Sequence, residues 1–403
     1  MLQHSSYCLP EESTALKILI TTDLYDPSVS GVVSSVKVLA NGLRKNGHDV
    51  RILTLSDTHK EKKDGNVYYI SSFSASAFYP QARIALFSRS KMIRELIEWN
   101  PDIIHTNCEL STFNIAVRIS KKTQTPIVHT YHTFYEAYLN YVPMGGGHLI
   151  KYLLPSLVRA VSGKARMFIA PTEKTARLLK TFHISIPVSV IPSAINDAFF
   201  TDNCVCYREE LRNKHGIEKD ECIFMYLGRV AKEKNIEELL DYASCEEMKD
   251  YRILIAGDGP YRSKLERYCK KLGISDRIIF IGMVPPKEVQ KYYAAGDIFI
   301  NSSLSETQGL TYLEAMSCSL PVLCRYDTCL DGVVENGKNG FVFNNKEEFL
   351  RYAKLLAEDS LLRKTVGEKA KKTIVDNYSS DKYIKSCEDL YFRIINDGLQ
   401  EPV

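Results

Sequence analysis

A chain of 403 residues exceeds the ~250 to 300 at which a single hydrophobic core stops growing, so two domains are expected. Hydrophobic residues at 45% and charged residues at 25% are ordinary globular proportions, which excludes a disordered, low-complexity or collagen-like chain. The net charge of +3 is unevenly placed: residues 1–200 hold 22 Lys and Arg against 15 Asp and Glu, a balance of +7, which leaves −4 for the rest.

In chain order, short β-branched runs alternate with helical periodicity, the pattern of parallel sheets covered by helices on both faces. Strands are predicted at Lys17–Thr22, Val50–Leu55, Asp102–Thr106, Ile127–Tyr131, Met167–Pro171 and Val188–Pro192. Helices are predicted between them at Val32–Lys45, Leu86–Trp99 and Glu173–Phe182. Apolar periodicity lapses around Asn196–Asn203, which places a linker near residues 193–205. A second series follows, with strands at Ile223–Gly228, Arg252–Ala256, Ile278–Gly282, Ile298–Asn301 and Pro321–Cys324. Beyond residue 345 the chain reads as charged helix, and its last helix, near Tyr383–Ile395, is expected to cross back onto the first domain. Sheets of this kind bind ligands at the carboxyl ends of their strands, so a cleft between two α/β halves is the expected site.

No run approaches the ~20 apolar residues of a membrane span. Glu11 and Glu12 break the basic-then-apolar order of a secretory signal, so a cytoplasmic protein is expected. Eleven cysteines occur without a CxxC pair and read as reduced core thiols rather than disulfides or zinc ligands. The basic first half suits an anionic surface or ligand; charge alone leaves open which.

Four groups of residues carry chemistry. Ser30-Gly31-Val32-Val33 follows the first strand, where a glycine lets backbone amides approach a phosphate or sugar. The GxGxxG fingerprint is absent, which counts against a dinucleotide enzyme. His129-Thr130-Tyr131-His132-Thr133 closes another strand of the first half. In the second half, Arg229 ends a strand and Lys232-Glu233-Lys234-Asn235 opens the next helix. A diphosphate bound there would meet Arg229, Lys234 and the positive end of that helix, although solvated loop cations are the commoner case. Finally, Glu306 and Glu314 stand eight positions apart across a loop and the helix it opens. With Glu306 in the loop and Glu314 about two turns inside, one carboxylate can reach a sugar while the other accepts bonds from ribose hydroxyls. The same spacing also fits a capping loop followed by a solvated acid.

The stretch Ser303–Leu323 resembles the signature of glycosyltransferase family 4, in which E-x7-E leads into an EAM helix, a Leu-Pro and a buried strand. Glu314-Ala315-Met316 and Leu320-Pro321-Val322-Leu323 stand in those places, and the similarity runs from about Lys17 to Asn396. The resemblance implies the GT-B fold, an α/β architecture of two facing doubly wound Rossmann-like domains. The first, on the acceptor side, would span 1–197 together with a C-terminal helix over about 380–403 that crosses back to it. The second, binding the nucleotide sugar, would span 205–379. It further implies a UDP-sugar donor, no metal or other required cofactor, and retention of the α-anomeric configuration. Residue by residue, it assigns Glu306 and His132 to the reacting sugar. Gly31, Arg229, Lys234, Gly257, Gly309, Leu310 and Glu314 fall to the donor. Gly257 lies in Gly257-Asp258-Gly259-Pro260, which fits a plain β-to-α turn almost as well.

Within the family, the HTYHT-x-Y-x-x-Y block from His129 to Tyr138 is similar to that of bacterial enzymes that glucosylate diacylglycerol, as are Tyr25-Asp26-Pro27 and the Ile103–Thr106 strand end. UDP-glucose and a lipid acceptor such as diacylglycerol are therefore the expected substrates, with no nucleic acid. Asn107-Cys108-Glu109 and the triplet Gly145–Gly147 depart from the usual pattern on the expected acceptor side. Between His148 and Met167, Leu149, Ile150, Leu153, Leu154, Leu157, Val158 and Val161 interleave with Lys151, Arg159, Lys164 and Arg166. That face fits an anionic bilayer and equally an ordinary core helix interrupted at Pro155; the +7 first half favours the membrane, and with it a peripheral position on the inner face of the cell membrane. Other family acceptors, a glycan or soluble sugar, remain an alternative. A nucleotide-sugar epimerase or hydrolase on the same fold, and a non-catalytic nucleotide-binding partner subunit, are the others.

Overall fold

The computed structural model describes residues 15–28, 30–75, 83–85, 90–132, 146–200 and 204–398; the side chains of 146–152, 197–198, 204–206 and 398 fall outside that description. The first sheet has eight strands in the spatial order 188–190, 167–170, 127–130, 103–106, 17–21, 49–55, 67–70 and 62–64. All neighbours run parallel except 62–64, which is antiparallel to 67–70. The second sheet has six strands, all parallel, in the order 278–282, 252–256, 223–227, 298–301, 322–325 and 341–343.

Alternation along each strand feeds two cores rather than one. Ile18 and Ile20 pack with Val36, Leu39 and Tyr391, while Leu19 between them packs with Ile104, Phe113 and Phe168 on the opposite face. In the second lobe Met225 and Leu227 join Tyr293, Phe299 and Tyr312, and Phe224 and Tyr226 turn the other way to Leu240, Ile253 and Phe343. Burial on both faces is why these strands read as unbroken apolar runs, each side chain contributing roughly 1.5 to 3 kcal/mol.

The helix Gly31–Lys45 starts where Ser30 accepts a hydrogen bond from Val33 N at 3.3 Å, and it ends with Arg44 and Lys45 against its negative pole. The helix predicted from Leu86 is shorter: Ser90 caps Lys91–Trp99 through Met92 N at 3.1 Å, and 86–89 lie outside the described residues. Gly146–Ser162 continues through Pro155 as one helix. Leu154, Val158 and Val161, three of its residues assigned to a membrane face, are instead buried in the core of the first lobe, because they lie at helical spacing on the side facing the sheet.

Three helices follow at 346–358, 360–377 and 380–398, and the last of them lies on the first lobe. Tyr383, Ile384, Cys387, Leu390 and Tyr391 of the last helix complete the core around Ile18 and Val36. The crossing is close: a Cβ on Gly42 of the first helix would stand 2.4 Å from Ile384 Cγ1. Tyr391 Oη also meets His105 Nδ1 at 2.5 Å, so the C-terminal helix reaches the strand that leads to the cleft.

Candidate functional site

The carboxyl ends of both sheets face each other, and the motif residues of the cleft sit in the loops leaving those ends or in the first turns of the helices those loops open. In the second lobe two loops stack backbone on backbone. A Cβ on Gly257 would lie 1.9 Å from Gly228 O, and one on Gly259 would lie 2.2 Å from Val230 O. Gly228 and Gly257 also have φ of +155° and +136°, a region closed to most side chains. The glycines thus let the Arg229 loop and the Gly257 loop share one surface, joined by Val230 N to Asp258 O at 3.0 Å. Tyr226 Oη donates to Arg229 O at 3.0 Å and fixes the strand end from below.

Lys234 stands in a 3-10 turn, Lys232–Lys234, ahead of the helix Ile236–Ala243 rather than in its first turn, because Asn235 adopts a left-handed φ of 54° between them. Its Nζ bonds Glu306 Oε1 at 2.6 Å. The Arg229 guanidinium pairs with Glu233. Burial raises the Glu306 carboxyl, but Lys234, the Ser303 hydroxyl and Lys174 together outweigh it and hold the group below its ordinary range, as a carboxylate.

Gly309, with φ of +76°, turns the loop into the helix Leu310–Ser317; a Cβ there would strike the Tyr312 ring at 2.3 Å. Glu314 is the fifth residue of that helix, so it lies one turn inside and not two. Its Oε2 accepts from Tyr293 Oη at 2.9 Å, and burial pushes its carboxyl up to about 7.

From the first lobe, His132 Nε2 lies 2.9 Å from Asn107 Oδ1. The Asn107 amide nitrogen faces the carbonyls of Thr21 and His105 at 3.4 and 3.5 Å, so its oxygen must accept and the His132 Nε2 must carry the proton. Burial, with His129 nearby, pushes His132 down to about 3, so the imidazole is neutral and its Nδ1 is an acceptor. His105 is likewise held at about 3 by burial, between Tyr391 Oη and Thr130 Oγ1 at 2.5 and 2.6 Å. His129 bonds Thr106 Oγ1 through Nδ1 at 2.7 Å and is a buried structural residue. Thr133 to Tyr138 of the block and Gly145 lie outside the described residues.

The lobes meet at the Glu306 loop. Thr307 Oγ1 donates to His132 O at 3.0 Å, and Thr172 Oγ1 donates to Thr307 O at 2.7 Å. Gln308 exchanges two bonds with the Ser193 backbone, at 3.0 and 2.8 Å. A Cβ on Gly31 would lie 3.2 Å from Leu310 Cδ1. The structure therefore brings His132, Gly31, Lys234, Glu306, Gly309 and Leu310 to one place. Of the basic set, Arg159, Lys164 and Arg166 are exposed, with Arg159 bonded to Phe182 O and Ser156 Oγ, while the Lys151 side chain lies outside the described residues. Asn107, Lys174, Gln308, Tyr293 and Asp327 were not anticipated. Asn107 alone carried a signal, as a departure from the family pattern beside the acceptor-side strand end.

The chain is matched by two family models, Glycosyltransferase Family 4 over residues 29–199 and Glycosyl transferases group 1 over 207–373. It is 32% identical to the alpha-monoglucosyldiacylglycerol synthase of Acholeplasma laidlawii, over 94% of this chain and 98% of that one. The enzyme of the same name from Streptococcus pneumoniae is 33% identical, over 96% of this chain and 88% of that one. The crystal structure of Anabaena Alr3699/HepE in complex with UDP and glucose superposes with a TM-score of 0.73 at 16% identity, covering 93% of this chain and 99% of that one, which places the fold as GT-B. Matched in both lobes and along nearly its whole length, the chain belongs to the family 4 glycosyltransferases.

Proposed function

We propose that this enzyme transfers α-glucose from UDP-glucose to the hydroxyl of a diacylglycerol, with retention of configuration and without an added metal. The observation that carries the reading is the Lys234–Glu306 pair at the carboxyl end of the second sheet, with the His132 segment bonded against it from the first. As the bond from C1 to phosphate breaks, negative charge grows on the diphosphate; Arg229, Lys234 and the loop amides are placed to stabilise it most in the transition state. Glu306 holds the hexose by its hydroxyls, and the neutral His132 accepts one hydroxyl through Nδ1. Glu314 accepts from the ribose.

The acceptor oxygen attacks C1 on the face the phosphate leaves, and its proton passes to the departing phosphate oxygen, giving glucosyl lipid and UDP. The lipid acceptor and glucose are favoured by the names of the two relatives at 32% and 33% identity. UDP is favoured by HepE, crystallised with UDP and glucose. A peripheral seat on an anionic membrane fits the exposed Leu153, Lys164 and Arg166, and among the described residues no helix is long and apolar enough to cross a membrane.

Purified protein offered UDP-glucose, UDP-galactose or UDP-N-acetylglucosamine with diacylglycerol vesicles, in EDTA, should form an α-linked glucosyl lipid from the first, read by mass spectrometry and NMR. A β-linked product, strict dependence on Mn2+, or a lipid glycosylated only from another donor would overturn the corresponding part.

A further inference from the structure

Lys174 lies in the first turn of the helix Glu173–Thr181, where a cation opposes the positive end of the helix dipole. A local preference broken in this way calls for a tertiary compensation. Here it lies across the cleft. Lys174 Nζ donates to both oxygens of Asp327 at 2.7 Å and to the main-chain oxygen of Glu306 at 2.9 Å. The three ammonium hydrogens are thereby used, and the pair is nearly enclosed, with side-chain exposures of 14% and 3%. Asp327 is itself fixed, its Oδ1 accepting from Cys329 N at 2.9 Å in the turn after a strand of the second sheet.

Thr172, the cap of the same helix, donates to Thr307 O at 2.7 Å, so two successive carbonyls of the Glu306 loop are gripped by one helix start of the other lobe. Lys234 holds the Glu306 side chain from its own lobe, and Lys174 holds its main chain from the opposite one. Because Lys174 and Asp327 belong to different lobes, the contact exists only while the lobes are together. Separation would leave two charges without their partners, which makes the arrangement two-state.

We propose that Lys174 is a positioning residue, a cross-lobe latch with Asp327 that fixes the Glu306 backbone for transfer when the cleft closes. This rests on the role given above to Glu306. Residues that hold a reacting group in register raise turnover more than they raise donor binding, and the cations proposed for the UDP phosphates, Arg229 and Lys234, both stand on the second lobe.

The test compares Lys174→Met, Lys174→Arg, Asp327→Asn and the Lys174→Met/Asp327→Asn double variant in full-length protein. In Lys174→Met, kcat should fall about 10- to 100-fold while calorimetric UDP affinity is unchanged. Arginine should restore most of the turnover, and the double variant should be no worse than Lys174→Met alone. Fluorescent labels placed at Lys121 and Lys271, exposed helix positions of the two lobes, should lie farther apart in UDP-bound Lys174→Met than in the UDP-bound parent. An unchanged kcat with an unchanged label distance overturns the latch. So does a kcat loss that UDP affinity follows in parallel and arginine does not rescue, since that marks general damage. If the parent itself glucosylates no diacylglycerol, the proposed reaction falls, and the label distance still decides for or against the latch.

Discussion

Lys234 Nζ and Glu306 Oε1 are 2.6 Å apart, so the cation that would meet the donor phosphate and the carboxylate that would grip the hexose are already bonded to each other. Arg229 is likewise matched with Glu233. The donor therefore enters a neutralised site and competes with two internal carboxylates for its cations. Glu306→Gln should lower kcat by about 100- to 1000-fold, the loss typical of one charge-matched donor or acceptor in a transition state. UDP affinity should not weaken, because Lys234 is freed for phosphate. Steady-state kinetics with calorimetry checks both halves; retention of most turnover removes Glu306 from the reaction.

Asn107 sets the tautomer of His132, which gives a pH signature that packing alone would not. A carboxylate in its place would favour the imidazolium and raise the His132 pKa from about 3 by roughly 1 to 3 units. The imidazolium has no acceptor nitrogen left for a sugar hydroxyl. At saturating donor, Asn107→Asp should therefore gain an acid limb in kcat between about pH 4 and 6 that the parent lacks. Asn107→Ala should lower kcat at every pH by releasing the ring. Identical profiles for parent and Asp variant would show that the ring's protonation is immaterial.

Gly257→Ala should disrupt the donor loops, since its methyl would meet Gly228 O at 1.9 Å, a main-chain atom that cannot swing aside as a flexible side chain would. A cost of at least about 2 kcal/mol and loss of UDP binding are expected. Gly273→Ala is the control: its φ is +70° but nothing lies within 4 Å, so only backbone strain of about 1 kcal/mol applies and UDP binding should persist. Melting curves with and without UDP separate the two.

Most of the parallel strands were legible because residues such as Ile18, Leu19 and Ile20 are buried on both faces and leave an unbroken apolar run, but Val67–Ile70, alternately buried and half-buried beside the sheet edge, was not read. Lys62–Asp64 was not, since an exposed edge strand of Lys, Lys and Asp has no apolar alternation to read. Phe341–Phe343 was missed for its length of three residues. The second-lobe motifs could be placed because phosphate and sugar chemistry demands Gly, Arg, Lys and Glu at fixed offsets. Lys174 and Asp327 stand 153 positions apart and belong to no motif, so only the folded arrangement brings them together. The apolar face of Gly146–Ser162 misled because core burial and membrane burial have the same helical period, and Leu154, Val158 and Val161 went inward.

What the described residues leave for a membrane is exposed Leu153 and a basic pair. Lys164 and Arg166 are exposed near the end of that helix, and each basic group close to an anionic surface contributes about 1 kcal/mol. Replacing both with Gln should weaken binding to phosphatidylglycerol vesicles roughly thirtyfold at low salt, and added salt should shrink the difference. Arg159 is left intact because it supports Phe182 O. Unchanged sedimentation with vesicles would assign membrane contact to another face.

Glu314 yields the last prediction, in which stability and affinity change with pH in opposite directions. Burial raises its carboxyl from 4.5 to about 7 in the free protein, so the folded state binds this proton more tightly than the unfolded chain. Its contribution to stability is therefore present below about pH 4.5 and is lost as pH rises to about 7. Ribose hydroxyls donate more strongly to the ionised carboxylate than to the acid, whose O–H is itself a donor, so UDP binding favours loss of the proton. UDP affinity should rise with pH up to about 7 and level off above it, changing by at most about tenfold per unit below that point. Glu314→Gln should flatten this contribution in both profiles while keeping the Tyr293 contact. Melting temperatures and UDP titrations from pH 5 to 8 measure the two slopes together, and a UDP affinity independent of pH in the parent would mean that the nucleotide does not use this carboxylate.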